Sequence, residues 1–227
     1  MIEKAFRLFR KVKDLRFGRI SYSQEAEDLI LERIFEFYQS GFYVDVGAHH
    51  PKRFSNTYLF YKKGWNGINI DAMPNSMRLF NKIRPKDINL ELGVSQSKKS
   101  LLYYMFDEPA LNGFSENVSE DRNKNTSYKI IGKQEISTLP LSEILNQYVE
   151  GDQAITFLSI DVEGLDLEVL KSNDWNKYRP EIILDEILHS RVEDILNSEI
   201  NLYLQEKNYA FYCKTPNTVF YKNIASN

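Results

Sequence analysis

At 227 residues the chain can bury the core of one α/β domain and leaves two cramped; its 42% hydrophobic residues include no apolar run near the ~18 that span a membrane. One cysteine, Cys213, excludes an internal disulfide and a cysteine-based zinc site, and a reducing, cytoplasmic setting is the default expectation. The net charge of −3 excludes wholesale electrostatic capture of nucleic acid, so no nucleic-acid partner is expected.

Charge is nonetheless uneven along the chain. Residues 1–20 form a basic arm with seven Lys or Arg against Glu3 and Asp14, which leaves the remainder at −8. Met1 to Arg10 never settles into an uncharged apolar region, so no secretory signal is expected. Ile2, Phe6 and Phe9 fall near one helical face. That face suits packing on the domain or on a second copy in a homo-oligomer, or else weak contact with an acidic membrane surface. The remaining residues, 21–227, read as one domain.

Ser23 is placed to cap a helix with acids in its first turn, burying Leu29, Ile30, Ile34 and Phe37 and ending near Ser40-Gly41. A strand over 42–46 follows, then a helix from about Ser55 to Lys63 closed by Gly64. A second strand covers 65–71, and Pro74 opens a helix over 74–83 that Pro85 ends. Strands are expected over 88–94 and 100–106. Residues 107–135 are polar, with few core candidates, and read as an insertion or a lid over the substrate.

Pro140 to Tyr148 is a short helix. Ile155 to Ile160 is a nearly continuous apolar strand, the pattern of a sheet centre covered on both faces. A helix with Leu167, Val169 and Leu170 follows, then a buried strand at 181–184 and a helix over about 190–206. Tyr209–Cys213 and Thr218–Tyr221 pair as a hairpin across Thr215-Pro216-Asn217. Alternating strands and helices require helical crossovers. The fold class is therefore α/β: a doubly wound, mostly parallel sheet with a C-terminal antiparallel hairpin.

Four strand ends carry acids: Asp45, Asp71, Asp161 and the pair Asp185-Glu186. Each could cap the helix that follows it. Together, at the edge where open α/β sheets bind ligands, they point to a site. Gly47 after Asp45 lets a ligand approach the backbone, while the second and third glycines of a dinucleotide fingerprint are absent. Asp71 suits a ribose diol. Asp161, Asp185 and Glu186 could supply oxygen ligands to Mg²⁺ or another divalent metal, and His189 or His50 could act as general base.

These residues, in this order, resemble the FkbM-type S-adenosylmethionine-dependent methyltransferases, within the class I methyltransferase fold and its seven-stranded sheet. The resemblance rests on Ser23-Gln24-Glu25 with Glu27-Asp28, on Val44 to Pro51, on Phe54-Ser55-Asn56-Thr57, and on Gly64 to Asp71. It continues through Arg84-Pro85-Lys86-Asp87 and Ser159 to Gly164. It implies methyl transfer to an oxygen, often of a sugar or a glycan precursor, with S-adenosylmethionine as cofactor. Asp45, Gly47 and Ala48 would then line the methionine part, Asp71 the ribose and Ala72 the adenine, with Gln24, Asn56 and Thr57 in support. Asp161 and Glu163 belong to the family's most recognisable motif. Where relatives often place a Glu near a His-Pro pair, this chain reads Asp185-Glu186-Ile187-Leu188-His189-Ser190. The rival readings are an NAD-linked sugar-nucleotide oxidoreductase and a cofactor-binding scaffold without turnover.

Overall fold

Apolar strands buried on both faces build the centre of the sheet. The computed structural model describes residues 18–188 and 190–225, so the basic arm lies largely, and His189 wholly, outside the described residues. Strands β1 (Phe42–Val46), β7 (Phe157–Ile160) and β8 (Ile182–Glu186) are buried along almost their whole length. With β2 (Asn66–Asp71), β3 (Ile88–Glu91), β9 (Tyr209–Lys214) and β10 (Thr218–Asn223) they form one seven-stranded sheet. Its order is β3-β2-β1-β7-β8-β10-β9. The first five strands run parallel, while β10 pairs antiparallel with both β8 and β9, as expected of the terminal hairpin.

Helices cover both faces, because a parallel connection must cross over the sheet. On one face α1 (Glu27–Ile34) and α2 (Tyr58–Lys62) pack Leu31 and Phe60, with Phe35, against Tyr43, Phe157 and Leu184. On the other, α5 (Leu141–Tyr148), α6 (Asp166–Lys171), α7 (Val192–Leu196) and α8 (Glu199–Glu206) bury Leu145, Val169, Ile195 and Leu204 against Val44, Ile160 and Ile183. Helix α3 (Met77–Ile83) adds a small cluster of Met77 and Phe80 with Ala48.

Several elements differ from the sequence reading. Helix α1 begins at Glu27 because Ala26 turns left-handed, and it ends early enough that Phe37 is 84% exposed; Leu31 and Phe35 take the core positions instead. The strand expected over 88–94 divides after Glu91. The Leu92 N–H bonds back to the Asp71 carbonyl, and β4 (Gly93–Val94) joins a separate sheet.

That second sheet, β4-β6-β5, contains β5 (Lys99–Phe106) and the long β6 (Ile130–Leu139). Residues 107–135 accordingly hold a 3₁₀ turn at Pro109–Leu111, helix α4 (Glu116–Asn125) capped by Ser115, and the start of β6. The helix expected over 190–206 is two, with Ser198 capping the second. No helix among the described residues is long and apolar enough to cross a membrane.

Candidate active site

Strand register decides which acids meet. Ile70, Val46, Ile160 and Asp185 lie side by side across β2, β1, β7 and β8. The next row is therefore Asp71, Gly47, Asp161 and Glu186. All four border one cleft at the carboxyl edge of the sheet. It opens where strand order reverses about β1, the switch point at which such sheets bind ligands.

At the β1–β2 end, Gly47 has φ +87°, and a Cβ there would stand 1.7 Å from the Asp161 carbonyl oxygen, so only glycine fits. The Gly47 and Ala48 N–H groups donate to the Ile70 carbonyl and turn the chain across the strand end. Asp71 is clamped: its carboxylate accepts the N–H of His49 and of Met73, each at 2.8 Å. Burial raises its pKa, and those two donors hold the rise back. Ala72 lines the same end, and Gln24 also borders the cleft.

Beside them stands the His49 imidazole. Burial, then the charges of Arg53 and His50, pushes its pKa down to about 4, so it is neutral near pH 7. Arg53 pairs with Glu108, tying the loop after β1 to the loop after β5.

The β7–β8 end is acidic. Asp161, Glu163 and Glu186 bring carboxylate oxygens within 4.8 Å of one another. Asp166 shapes this loop by accepting the N–H groups of Val162 and Gly164, and Glu163 itself sits at φ +53°, a strained conformation for a side chain of its size. Asp161 opens into the cleft yet is ringed by protein. That desolvation, and then the neighbouring charges of Glu186, Glu163 and Asp166, raises its pKa well above the ordinary range. Glu186 is pushed up to about 7, by burial first and then by Glu163. The arrangement holds protons near neutrality and can exchange them with a bound group.

The alternation of side chains along a strand sends other expected residues elsewhere. Asp45 points to the α1–α2 face, where it accepts a hydrogen bond from the Thr57 hydroxyl. There Arg84, fully buried, bonds Asp87, Tyr43 and Thr57. Burial raises the Asp45 pKa to about 6 against the pull of Arg84. Asn56 donates to the Ser159 hydroxyl, and Ala48 packs with Met77 and Phe80. None of these four lines the cleft.

Asp185 points to the opposite face and is a correction to the expected metal set. It is fully buried, neither carboxylate oxygen has a hydrogen-bond partner, and Glu163 stands in its place in the acidic group. Burial raises the Asp185 pKa strongly. His50 is also displaced from the role of base. Its Nδ1 accepts the N–H groups of Lys52 and Arg53, and it does not border the cleft. The other expected base, His189, lies outside the described residues.

Sequence reasoning did not single out the wall that 103–122 supplies. Tyr103, Asn112, Phe114 and Arg122 border the cleft, with Arg122 donating to the Leu111 carbonyl at 3.0 Å and to Glu163 at 2.8 Å. Their only signal in the sequence is an Arg and aromatics within an otherwise polar stretch. His49 was visible within the Asp45–Pro51 motif without an assigned role.

A family model described as the methyltransferase FkbM domain matches residues 45–211. The match covers well over half of the chain, and the chain belongs to that family. No curated protein and no solved structure matches it. Membership implies an S-adenosylmethionine-dependent methyltransferase, as the resemblance led us to expect.

Proposed function

We propose that this FkbM-family methyltransferase transfers the methyl group to a hydroxyl oxygen of a sugar or glycan precursor. The observation that carries the reading is the placement of Asp161, Glu163 and Glu186 on the same cleft as Gly47 and Asp71. The β1–β2 end suits the cofactor: a close backbone approach at Gly47, an anchored carboxylate at Asp71 for ribose hydroxyls, and Ala72 beside it for the adenine. The acidic end suits the acceptor.

In the reaction the methyl C–S bond breaks as a C–O bond forms, and the hydroxyl proton must leave. Glu186, its pKa pushed up to about 7, is placed to receive it, with Asp161 beside it. Holding acceptor oxygen, methyl carbon and sulfur in line is the larger task, and it falls to the cleft walls. Three carboxylates this close also fit a divalent cation, which Asp161, Glu163 and Glu186 would hold; it would supply polarisation of the hydroxyl. Arg122, already on Glu163, would compete with it.

Calorimetric titration with S-adenosylhomocysteine, with NAD as control and with and without Mg²⁺, tests the cofactor end. Methyl transfer to a panel of sugars and glycosides tests the acceptor end. Saturable binding of S-adenosylhomocysteine with transfer to a hydroxyl is the expected result. Binding without transfer to any hydroxyl acceptor would overturn the reading.

A further inference from the structure

We infer that the acceptor reaches the carboxylates through a groove between α4 and the start of α8, and that the groove selects an uncharged glycoside over a phosphorylated or nucleotide-linked sugar. The inference rests on the hydroxyl-transfer reading above. The cleft continues past its acidic end into a second hollow, walled by Val118 and Arg122 of α4, by α6, by residues 186–188 and by residues 198–200. Arg122, Glu163, Glu186 and Leu188 border both spaces, so an occupant of the hollow lies against the carboxylates that face the cofactor end.

Its lining sets the chemistry. Among the described residues, Asp166, Glu168 and Glu199 add to Glu163 and Glu186, against one guanidinium, Arg122, which is already bound to Glu163 and to the Leu111 carbonyl. A phosphate monoester carries a charge of about −1.5 to −2 at pH 7 and finds no cation among the described lining residues except Arg122, which Glu163 already engages. Between the acids, Val118, Ile187, Leu188 and Ile200 offer aliphatic surface on which the C–H face of a sugar ring can rest, while the acids accept its hydroxyl donors. Methylation would then follow the glycosyl transfer that discharges the sugar from its phosphate, and the supplier of the substrate is a glycosyl-transfer reaction.

The test measures methyl transfer from S-adenosylmethionine to matched pairs, the methyl glycoside and the 1-phosphate of the same sugar, across common hexoses, 6-deoxyhexoses and N-acetylhexosamines. The glycoside should win by about tenfold or more in kcat/KM, with a margin that narrows as salt screens the wall. Glu199→Lys and Glu168→Lys should lower KM for the phosphate and shift the glycoside-to-phosphate ratio of kcat/KM about fivefold or more toward the phosphate. Equal or better use of sugar phosphates by the unaltered protein overturns the inference and leaves hydroxyl transfer standing. No change in either variant overturns the groove as the route. If S-adenosylhomocysteine binds and no member of any pair is methylated, hydroxyl transfer fails and the inference falls with it.

Discussion

Asp71 is held by two backbone donors from the loops on either side of it, the His49 and Met73 N–H groups. A carboxylate fixed in this way keeps a lone pair on each oxygen for a ligand, so it can receive a diol without reorganising. Asp71→Ala should therefore weaken S-adenosylhomocysteine binding about tenfold or more while the far-ultraviolet dichroism stays unchanged. Undiminished affinity in the calorimeter would remove Asp71 from the cofactor site. Asp185 is the opposite case, a carboxyl with two partnerless oxygens in an apolar layer. Replacing it by its neutral isostere, Asp185→Asn, removes the group that must stay protonated when folded, and should raise stability at pH 8 more than at pH 5. A lower melting temperature at pH 8 would show that the charge has a partner.

At the scale of elements, the cleft is closed by a piece of chain outside the main sheet. Helix α4 reaches the loop after β7 through Arg122, which also ties down Leu111. One guanidinium therefore fastens the 107–114 loop to the 161–164 loop. Arg122→Ala should leave the main sheet intact and speed amide hydrogen exchange over 107–125, with the exchange of β1 and β7 unaffected. Uniformly faster exchange would mean that Arg122 supports the global fold, and unchanged exchange that the pair is idle. The route of 107–135 was not legible from its composition, because polar residues dominate where α4 faces solvent. Its order comes from β5 pairing with β6 across some thirty residues, which no local pattern announces.

For the whole molecule, burial raises the pKa of Asp45, Asp71, Asp161, Asp166, Asp185 and Glu186 together. Raised carboxyl groups bind more protons folded than unfolded, so their contribution to stability is complete below the ordinary carboxylate range and is lost as pH rises through the folded values. Glu108 and Asp194 shift the other way but at the exposed surface, where solvent mutes the effect. The lowered His49 and His50 oppose the trend up to the ordinary histidine range but are outnumbered by the six acids. The ligand-free protein should melt at a higher temperature at pH 5 than at pH 8, with the fall running through about 7, the value for Glu186. A melting temperature that climbs over that interval would show that the acids are better solvated or paired than their surroundings indicate.

The order of strands and helices in the main sheet, its parallel run with the terminal hairpin and the family were determined by the sequence alone, because apolar period, helix caps and contiguous motifs are local properties. Only the tertiary structure decided which acids share the cleft. Side-chain direction alternates along a strand, and the register between strands fixes the row on which each residue falls. Asp71, Asp161 and Glu186 stand one position beyond the last core row and meet at the edge; Asp185, on that last core row, and Asp45, one row earlier, turn to opposite faces and are buried.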